Sequence, residues 1–171
     1  LFLQKQKKPI NMGHFDKLEA KKSVVGTAVS NNRRDDYYNG FEAKTAGFTA
    51  QAGYEYTVND ADGCAIVLPA AVEGARISVV LSGDVTSNTT TITAAAGDIL
   101  AGYALIRDEA DGAANDFKFF AADNSDDLVV TLNGTTKGGL IGDRIELVGR
   151  ADGWNVRAVL SGTGTLVTPF S

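Results

Sequence analysis

The sequence has very few of the residue types on which many catalytic and metal sites depend. It contains one cysteine, Cys64, and one histidine, His14, among 171 residues. A single cysteine excludes a disulfide framework and a cysteine-based zinc site within one chain. A Ser-His-Asp or Cys-His catalytic arrangement would need His14 to reach the rest of the fold. Stability must therefore come from burial of a core, from oligomerisation, or from both.

Long apolar runs and helical stretches rich in Lys, Glu and Leu are also missing. No apolar run approaches the roughly 20 residues that a membrane-spanning helix needs, so we do not expect an integral membrane protein. The N-terminal residues are basic, and the apolar stretch of a secretory signal does not follow them.

The residues that are abundant favour short strands and many turns. Gly occurs 19 times, and short alternating runs separated by Asp-Gly and Asn-Gly turns begin at Phe48. This pattern predicts an all-β fold, an antiparallel β-sandwich or barrel-like body over residues 48–171. The body is expected to end in a short extended tail with Phe170 as an apolar anchor. The predicted strands are 48–58, 64–68, 75–81, 88–93, 99–106, 116–121, 127–132, 143–149 and 153–160.

The only tryptophan follows a hairpin signal. The stretch IGDRIELVGRADGWNVRAVLSG alternates apolar and polar residues on both sides of the pair Asp152-Gly153, which predicts a β-hairpin. Trp154 opens the second strand, and period two places Val156 and Ala158 on the same face. We therefore predict that Trp154 plugs the core and does not form the wall of a binding site.

Residues 1–47 differ from the body in composition and charge. Up to Arg34 there are eight Lys or Arg against two Asp or Glu, which gives a net charge of +6. From Asp35 onward there are eight further Lys or Arg against nineteen Asp or Glu, which gives a net charge of −11. We predict an extended basic N-terminal arm, with a short helix near 14–22, that lies against a negatively charged surface or is disordered. Because the acidic body would repel phosphates, an acidic protein surface is favoured over nucleic acid.

The candidates for catalysis and metal binding have simpler explanations. His14 lies in the arm and Cys64 begins an apolar strand, so neither is expected to be catalytic. The acidic stretches 59–63, 108–112 and 123–127 do not complete a calcium-loop pattern. In Asp-Gly turns the Asp side chain commonly accepts hydrogen bonds from the backbone of the turn itself, so these residues need no metal. The sequence thus predicts no catalytic residue, no cofactor and no metal site. A hydrolase of a cell-wall or capsule polymer that uses two of these carboxylates is an alternative.

Several turn and core positions of the body follow a recognisable order. An apolar strand ends in Leu-Pro in AIVLPAAVEGARISVVL, followed by TTITAAAGDIL and by a long stretch that runs from LVVTLNGTTKGG to SGTGTLVTPF. This order resembles small structural proteins of tailed bacteriophages, namely capsid decoration (cement) proteins and head-fibre proteins. The resemblance covers roughly residues 48–171 and leaves the arm unmatched. The matching positions are Leu68-Pro69, Gly74, Gly97-Asp98, Gly142-Asp143, Asp152-Gly153-Trp154 and the tail from Ser161 to Thr165.

The resemblance implies a structural protein of the virion that is not an enzyme. Such a protein is a homotrimer, is assembled in the host cytoplasm, and binds the outer capsid surface, where it stabilises the shell by bridging neighbouring major capsid subunits. Neither nucleic acid nor a membrane is implied as a partner, and Phe170 is expected to lie across a neighbouring subunit. The alternative is a receptor- or glycan-binding module of a phage fibre or spike. The candidate capsid contacts in the arm are Lys5, Lys7, Lys8, Phe15, Lys17, Lys21, Lys22, Arg33, Arg34, Tyr37 and Tyr38.

Overall fold

The protein was analysed as a computed structural model, which describes residues 38–109, 116–122 and 126–171. These residues form β-strands and turns and include no helix, so the predicted all-β class is confirmed. Accordingly, none of them forms a helix that is long and apolar enough to cross a membrane. The strands are β1 (Gly40–Lys44), β2 (Phe48–Thr49), β3 (Tyr54–Val58), β4 (Ala65–Val67), β5 (Arg76–Leu81), β6 (Thr90–Thr93), β7 (Ile99–Asp108), β8 (Phe117–Ala122), β9 (Val129–Leu132), β10 (Arg144–Arg150) and β11 (Gly153–Gly162).

The first six strands alternate between two sheets. β1, β3 and β5 are neighbours in a seven-stranded sheet, and β2, β4 and β6 are neighbours in a four-stranded sheet. The pairs within each set are parallel. Each connection crosses to the other sheet, so every second strand returns in the same direction. The chain therefore winds as an open coil from residue 40 to residue 93.

The later strands pair mainly in antiparallel fashion and complete both sheets. β10 pairs with β5 and β11, β8 pairs with β7, and β9 pairs with β6, whereas β11 and β7 are parallel. The larger sheet has the order β1-β3-β5-β10-β11-β7-β8, which leaves two edges and no closed barrel. The arrangement is sandwich-like. Both sheets are mixed, which differs from the antiparallel pairing that the sequence analysis expected.

Apolar side chains from both sheets meet in one core. Ile66 and Ile92 of the smaller sheet and Val79 of the larger sheet are completely buried in it. Trp154 is also completely buried, and its indole Nε1 donates a hydrogen bond to the Pro69 carbonyl over 3.3 Å. The prediction that Trp154 fills the core is confirmed.

The C-terminal tail packs on its own chain. Phe170 is buried and forms a bridge with Val130 of β9. The backbone N–H groups of Leu128 and Val129 each donate to the Ser171 carbonyl over 2.8 Å. The prediction that Phe170 lies across a neighbouring subunit is therefore wrong, because its ring packs in the core of its own chain.

The body begins earlier than residue 48. Residues 40–44, which the sequence analysis assigned to the arm, form β1 and pair with β3 from Gly40 opposite Tyr54 to Lys44 opposite Val58. The sequence GFEAK has one large apolar residue in five positions, too short a pattern to predict a strand. The predicted strand 48–58 is also divided, since a turn that ends at Gly53 separates β2 from β3.

Candidate interaction surfaces

Of the predicted contact residues, one lies within the described part of the chain. Tyr38 is described; it is half-buried, and its ring meets that of Phe41 edge-on with centroids 6.3 Å apart. It lies just before β1, at the point where the basic segment joins the sheet. The remaining ten lie outside the described residues: Lys5, Lys7, Lys8, Phe15, Lys17, Lys21, Lys22, Arg33, Arg34 and Tyr37.

β1 is an edge strand of the larger sheet. β3 pairs with one side of it, and no other strand in the described ranges pairs with its opposite side. Edge strands carry unpaired N–H and C=O groups that another chain can pair with. The position where the basic segment joins the body is therefore also a site where a further strand can be added.

The charges of β1 are engaged within the chain. Lys44 forms an ion pair of 2.6 Å with Glu42, and its ammonium lies 5.2 Å from the ring centroid of Phe48 and 5.7 Å from that of Tyr56. The hydrogen bond that the Lys44 ammonium donates to the Glu42 carboxylate is the main reason that the pKa of Lys44 is raised. The cation lies over the aromatic side chains Phe48 and Tyr56 at the edge of the core.

A second surface lies at the other end of the larger sheet, on its solvent side. Along β11 the residues that alternate with the buried Trp154, Val156, Ala158 and Leu160 face outward, and β7 follows the same alternation. The register brings Val159, Leu105 and Phe119 into one row and Arg157, Tyr103 and Ala121 into the next. We call this surface the β7–β8–β11 face, and define it by the residues Tyr103, Leu105, Phe117, Phe119, Arg157 and Val159.

The apolar part of the β7–β8–β11 face is exposed. Phe119, Val159 and Phe117 have 64%, 59% and 54% of their surface accessible. The rings of Tyr103 and Phe119 stack with centroids 5.4 Å apart and planes inclined by 25°. A contiguous apolar patch on a sheet face of a soluble protein marks an interaction site more often than isolated exposed residues do.

The charges of this face have one sign. The outward positions of β7, β8 and β11 contain Arg107 and Arg157 and no Asp or Glu. Arg107 forms an ion pair with Glu109, just beyond the end of β7. Arg157 forms no ion pair with a described residue. In a chain with a net charge of −5, the outward positions of three adjacent strands therefore carry cationic side chains and no anionic ones.

This face was not predicted from the sequence, although a signal was present. The stretch DFKFF puts Phe117 and Phe119 on one face of β8 and Phe120 on the other. Phe120 packs against the core, so the other two rings cannot. When large apolar residues occupy both the odd-numbered and the even-numbered positions of a strand, its solvent-facing side is apolar as well as its core-facing side.

A polar cluster links three strands elsewhere on the same sheet. Ser78 of β5 lies in register between Glu55 of β3 and Glu146 of β10, and Arg144 forms ion pairs with both glutamates. Ser78 is completely buried, and its Oγ has no hydrogen-bond partner among the described residues. Through these ion pairs Arg144 connects β3 and β10 across β5.

Asp143 is the most deeply buried carboxylate among the described residues. Its Oδ2 accepts hydrogen bonds from the backbone N–H groups of Gly139 (2.7 Å) and Leu140 (3.1 Å), and its Oδ1 accepts one from Ser161 (2.7 Å). Burial raises the pKa of Asp143 to about 6, and the three N–H donors limit the rise. The carboxylate ties the loop before β10 to β11.

The other reactive or acidic groups are used within the fold. Cys64 is buried, which raises the pKa of its thiol. In the turn 59–63, Asp60 accepts from the backbone of Asp62, and Asp62 accepts from the Ser87 hydroxyl over 2.6 Å. No group of three or more His, Cys, Asp or Glu side chains within the described ranges could hold a metal ion. Parts of the stretches 108–112 and 123–127 lie outside those ranges.

A comparison of the sequence with protein-family models and with curated proteins gives no match.

Proposed function

We propose that the chain is a non-enzymatic structural protein of a tailed-phage virion. In this proposal it binds the outer capsid surface and stabilises the shell by bridging neighbouring major capsid subunits. The observation that carries the proposal is the position of β1, a sheet edge directly continuous with the basic N-terminal segment. The turn and core positions that resemble decoration proteins support the same function.

The charge distribution supports attachment to an acidic shell. Residues 1–34 carry a net charge of +6 and residues 35–171 a net charge of −11, so an acidic surface attracts the N-terminal segment and repels most of the body. A segment of 37 residues spans up to about 120 Å when extended, enough to cross from one capsid subunit to another. The β1 edge can add a strand from the shell. In a trimer, three such attachments act together and give avidity.

Deleting residues 1–37 tests the proposal. The deletion stops before β1 and so leaves the described strands intact. We expect the truncated protein to lose most of its binding to capsids of the phage whose genome encodes the chain, measured by co-sedimentation. A full-length variant with Gln at Lys5, Lys7, Lys8, Lys17, Lys21 and Lys22 should bind more weakly as well, and thermal unfolding should show both proteins folded. Undiminished binding by the truncated body would remove the segment from the function.

The stacked rings on the β7–β8–β11 face favour a second candidate, the glycan-binding module of a fibre or spike. Tyr103 and Phe119 offer a flat, exposed aromatic surface, and sugar rings pack against such surfaces. A glycan array probed with the full-length protein tests this function. Saturable binding that Tyr103→Ala abolishes would support it, whereas an array without signal would reject it.

A further inference from the structure

We propose that the β7–β8–β11 face is a second docking surface, at which the body binds an acidic, partly apolar area of the capsid shell. The identity of this partner as the capsid rests on the proposed function. The chemistry of the partner, acidic groups beside apolar side chains, rests on the face itself. The two binding regions would then lie at opposite edges of one sheet.

The apolar rows provide the contact area. Phe119, Leu105 and Val159 form a continuous row across β8, β7 and β11, and Phe117 and Tyr103 extend it to either side. Phe119 and Val159 are each more than half exposed. Interfaces are enriched in aromatic residues and arginine at their centres, and this composition matches that pattern.

The arginines define the charge of the partner. Arg157 lies next to Tyr103 in the register and has no ionic partner among the described residues. Because no outward position of the three strands is acidic, an anionic surface can approach here without the repulsion that it meets at the acidic turns. Arg157 then gains a carboxylate partner that its own chain does not supply.

The same charges disfavour a second copy of this chain as the occupant. A two-fold contact between two β7–β8–β11 faces would bring Arg107 and Arg157 of each copy close to the same residues of the other. Among the described residues, Glu109 is the acidic residue that pairs with these arginines. Self-association would therefore bury like charges, which costs free energy.

The test measures binding of full-length variants to intact capsids of the encoding phage. Phe119→Ser and Arg157→Glu should each weaken the affinity roughly tenfold or more, and Arg157→Lys should retain most of it because the charge is kept. The matched controls are Ile141→Ser, an exposed apolar residue of a loop (66% accessible), and Lys137→Glu, a charge reversal in another loop. Both controls should bind like the unaltered protein.

Each result supports or overturns the inference. Unaltered protein that binds capsids together with face variants that bind equally well would overturn this inference and leave the proposed function in place. Unaltered protein that fails to bind capsids would reject both. A mass measurement in which the unaltered protein is an oligomer and Phe119→Ser yields monomers would make a second copy the occupant, and would also overturn the inference.

Discussion

At the scale of single residues, buried polar groups determine where the fold is sensitive. Asp143 and Ser78 are both almost fully buried, but only Asp143 has its hydrogen-bonding capacity used. A buried acceptor that is satisfied contributes specificity, whereas a buried group without a partner costs stability. The two residues therefore lead to predictions of opposite sign.

Asp143 makes stability depend on pH. Its pKa in the folded protein, about 6, lies above its ordinary value of 3.8, so the folded state binds a proton more readily than the unfolded state does. The stabilisation that protonated Asp143 adds to the free energy of unfolding is complete below about pH 4 and is lost as the pH rises through about 6. It amounts to at most about 3 kcal/mol.

The Asp143→Asn variant tests this dependence. Because the amide has one acceptor oxygen for donors on both sides, we expect a loss of about 1–3 kcal/mol at neutral pH. In urea unfolding experiments, the difference in the free energy of unfolding between the variant and the original protein should change between pH 4 and pH 6. Asp84→Asn, at an exposed carboxylate that accepts from the backbone N–H of Ile141, is the control, because it makes the same substitution at the protein surface. A constant difference for Asp143→Asn across this range would contradict the assignment.

Ser78→Ala should stabilise the protein. The substitution removes a buried hydroxyl that has no partner in the described part of the fold, and we expect the free energy of unfolding to rise by about 1 kcal/mol. Ser82→Ala is the matched comparison, since the Ser82 hydroxyl donates to the Val58 carbonyl over 3.1 Å and its removal should not stabilise. Equal destabilisation by both substitutions in thermal unfolding would show that the Ser78 hydroxyl is bonded after all.

At the scale of strands and turns, the sequence predicts positions better than directions. Nine strands were expected, and each corresponds to strands that the structure contains, because period-two alternation reflects which side of a strand is buried. Whether a turn makes a hairpin or crosses to the other sheet was not predictable. The turn 59–63 leads from β3 to β4 in the other sheet, whereas the turn before Gly153 joins the two antiparallel strands of one hairpin. Both turns use the same Asp-Gly chemistry.

The interaction surfaces show the same limit. The charge difference between the two parts of the chain was evident from composition, as was the core position of Trp154. The β7–β8–β11 face was not, because it depends on which strands become neighbours. Val159 and Phe119 are 40 positions apart in sequence and meet only through β7.

Gly102 is required where β7 approaches β11 closely. It has a φ of +138°, and a Cβ at this position would lie 2.0 Å from the Val156 carbonyl oxygen. We expect Gly102→Ala to lower the free energy of unfolding by several kcal/mol, measured by chemical denaturation.

Gly97→Ala is the control that separates conformation from crowding. Gly97 also has a positive φ, +92°, but no heavy atom lies within 4 Å of the Cβ position. Its substitution should cost about 1–3 kcal/mol, which reflects the backbone conformation alone. If both alanine variants lost the same stability, the close approach of β7 and β11 would not matter.

At the scale of the whole molecule, the chain closes its own core with its last residues. Phe170 is 4% exposed and pairs with β9. We expect Phe170→Ala to lower the free energy of unfolding by about 3–5 kcal/mol, and Val167→Ala, at a partly exposed residue of the same tail (41%), to have little effect.

The concentration dependence of unfolding distinguishes this arrangement from a tail exchanged between subunits. If the tail closes its own body, the loss caused by Phe170→Ala should be the same at low and high protein concentration, as measured by the unfolding midpoint. A loss that diminishes on dilution, where an oligomer already dissociates, would place the ring in a contact between subunits.

The winding of β1 to β6 has a consequence for how the length of this fold could vary. Each strand of the coil pairs with the next one along its sheet, and among the described strands β1 pairs with β3. Architecture of this kind is stacked in rungs, so an extra rung inserted upstream of Gly40 would rest on β1 without altering anything below it. Among the described strands, β1 therefore offers an edge on which the larger sheet can be extended, whereas at the β9 edge of the smaller sheet Phe170 already occupies the pairing position.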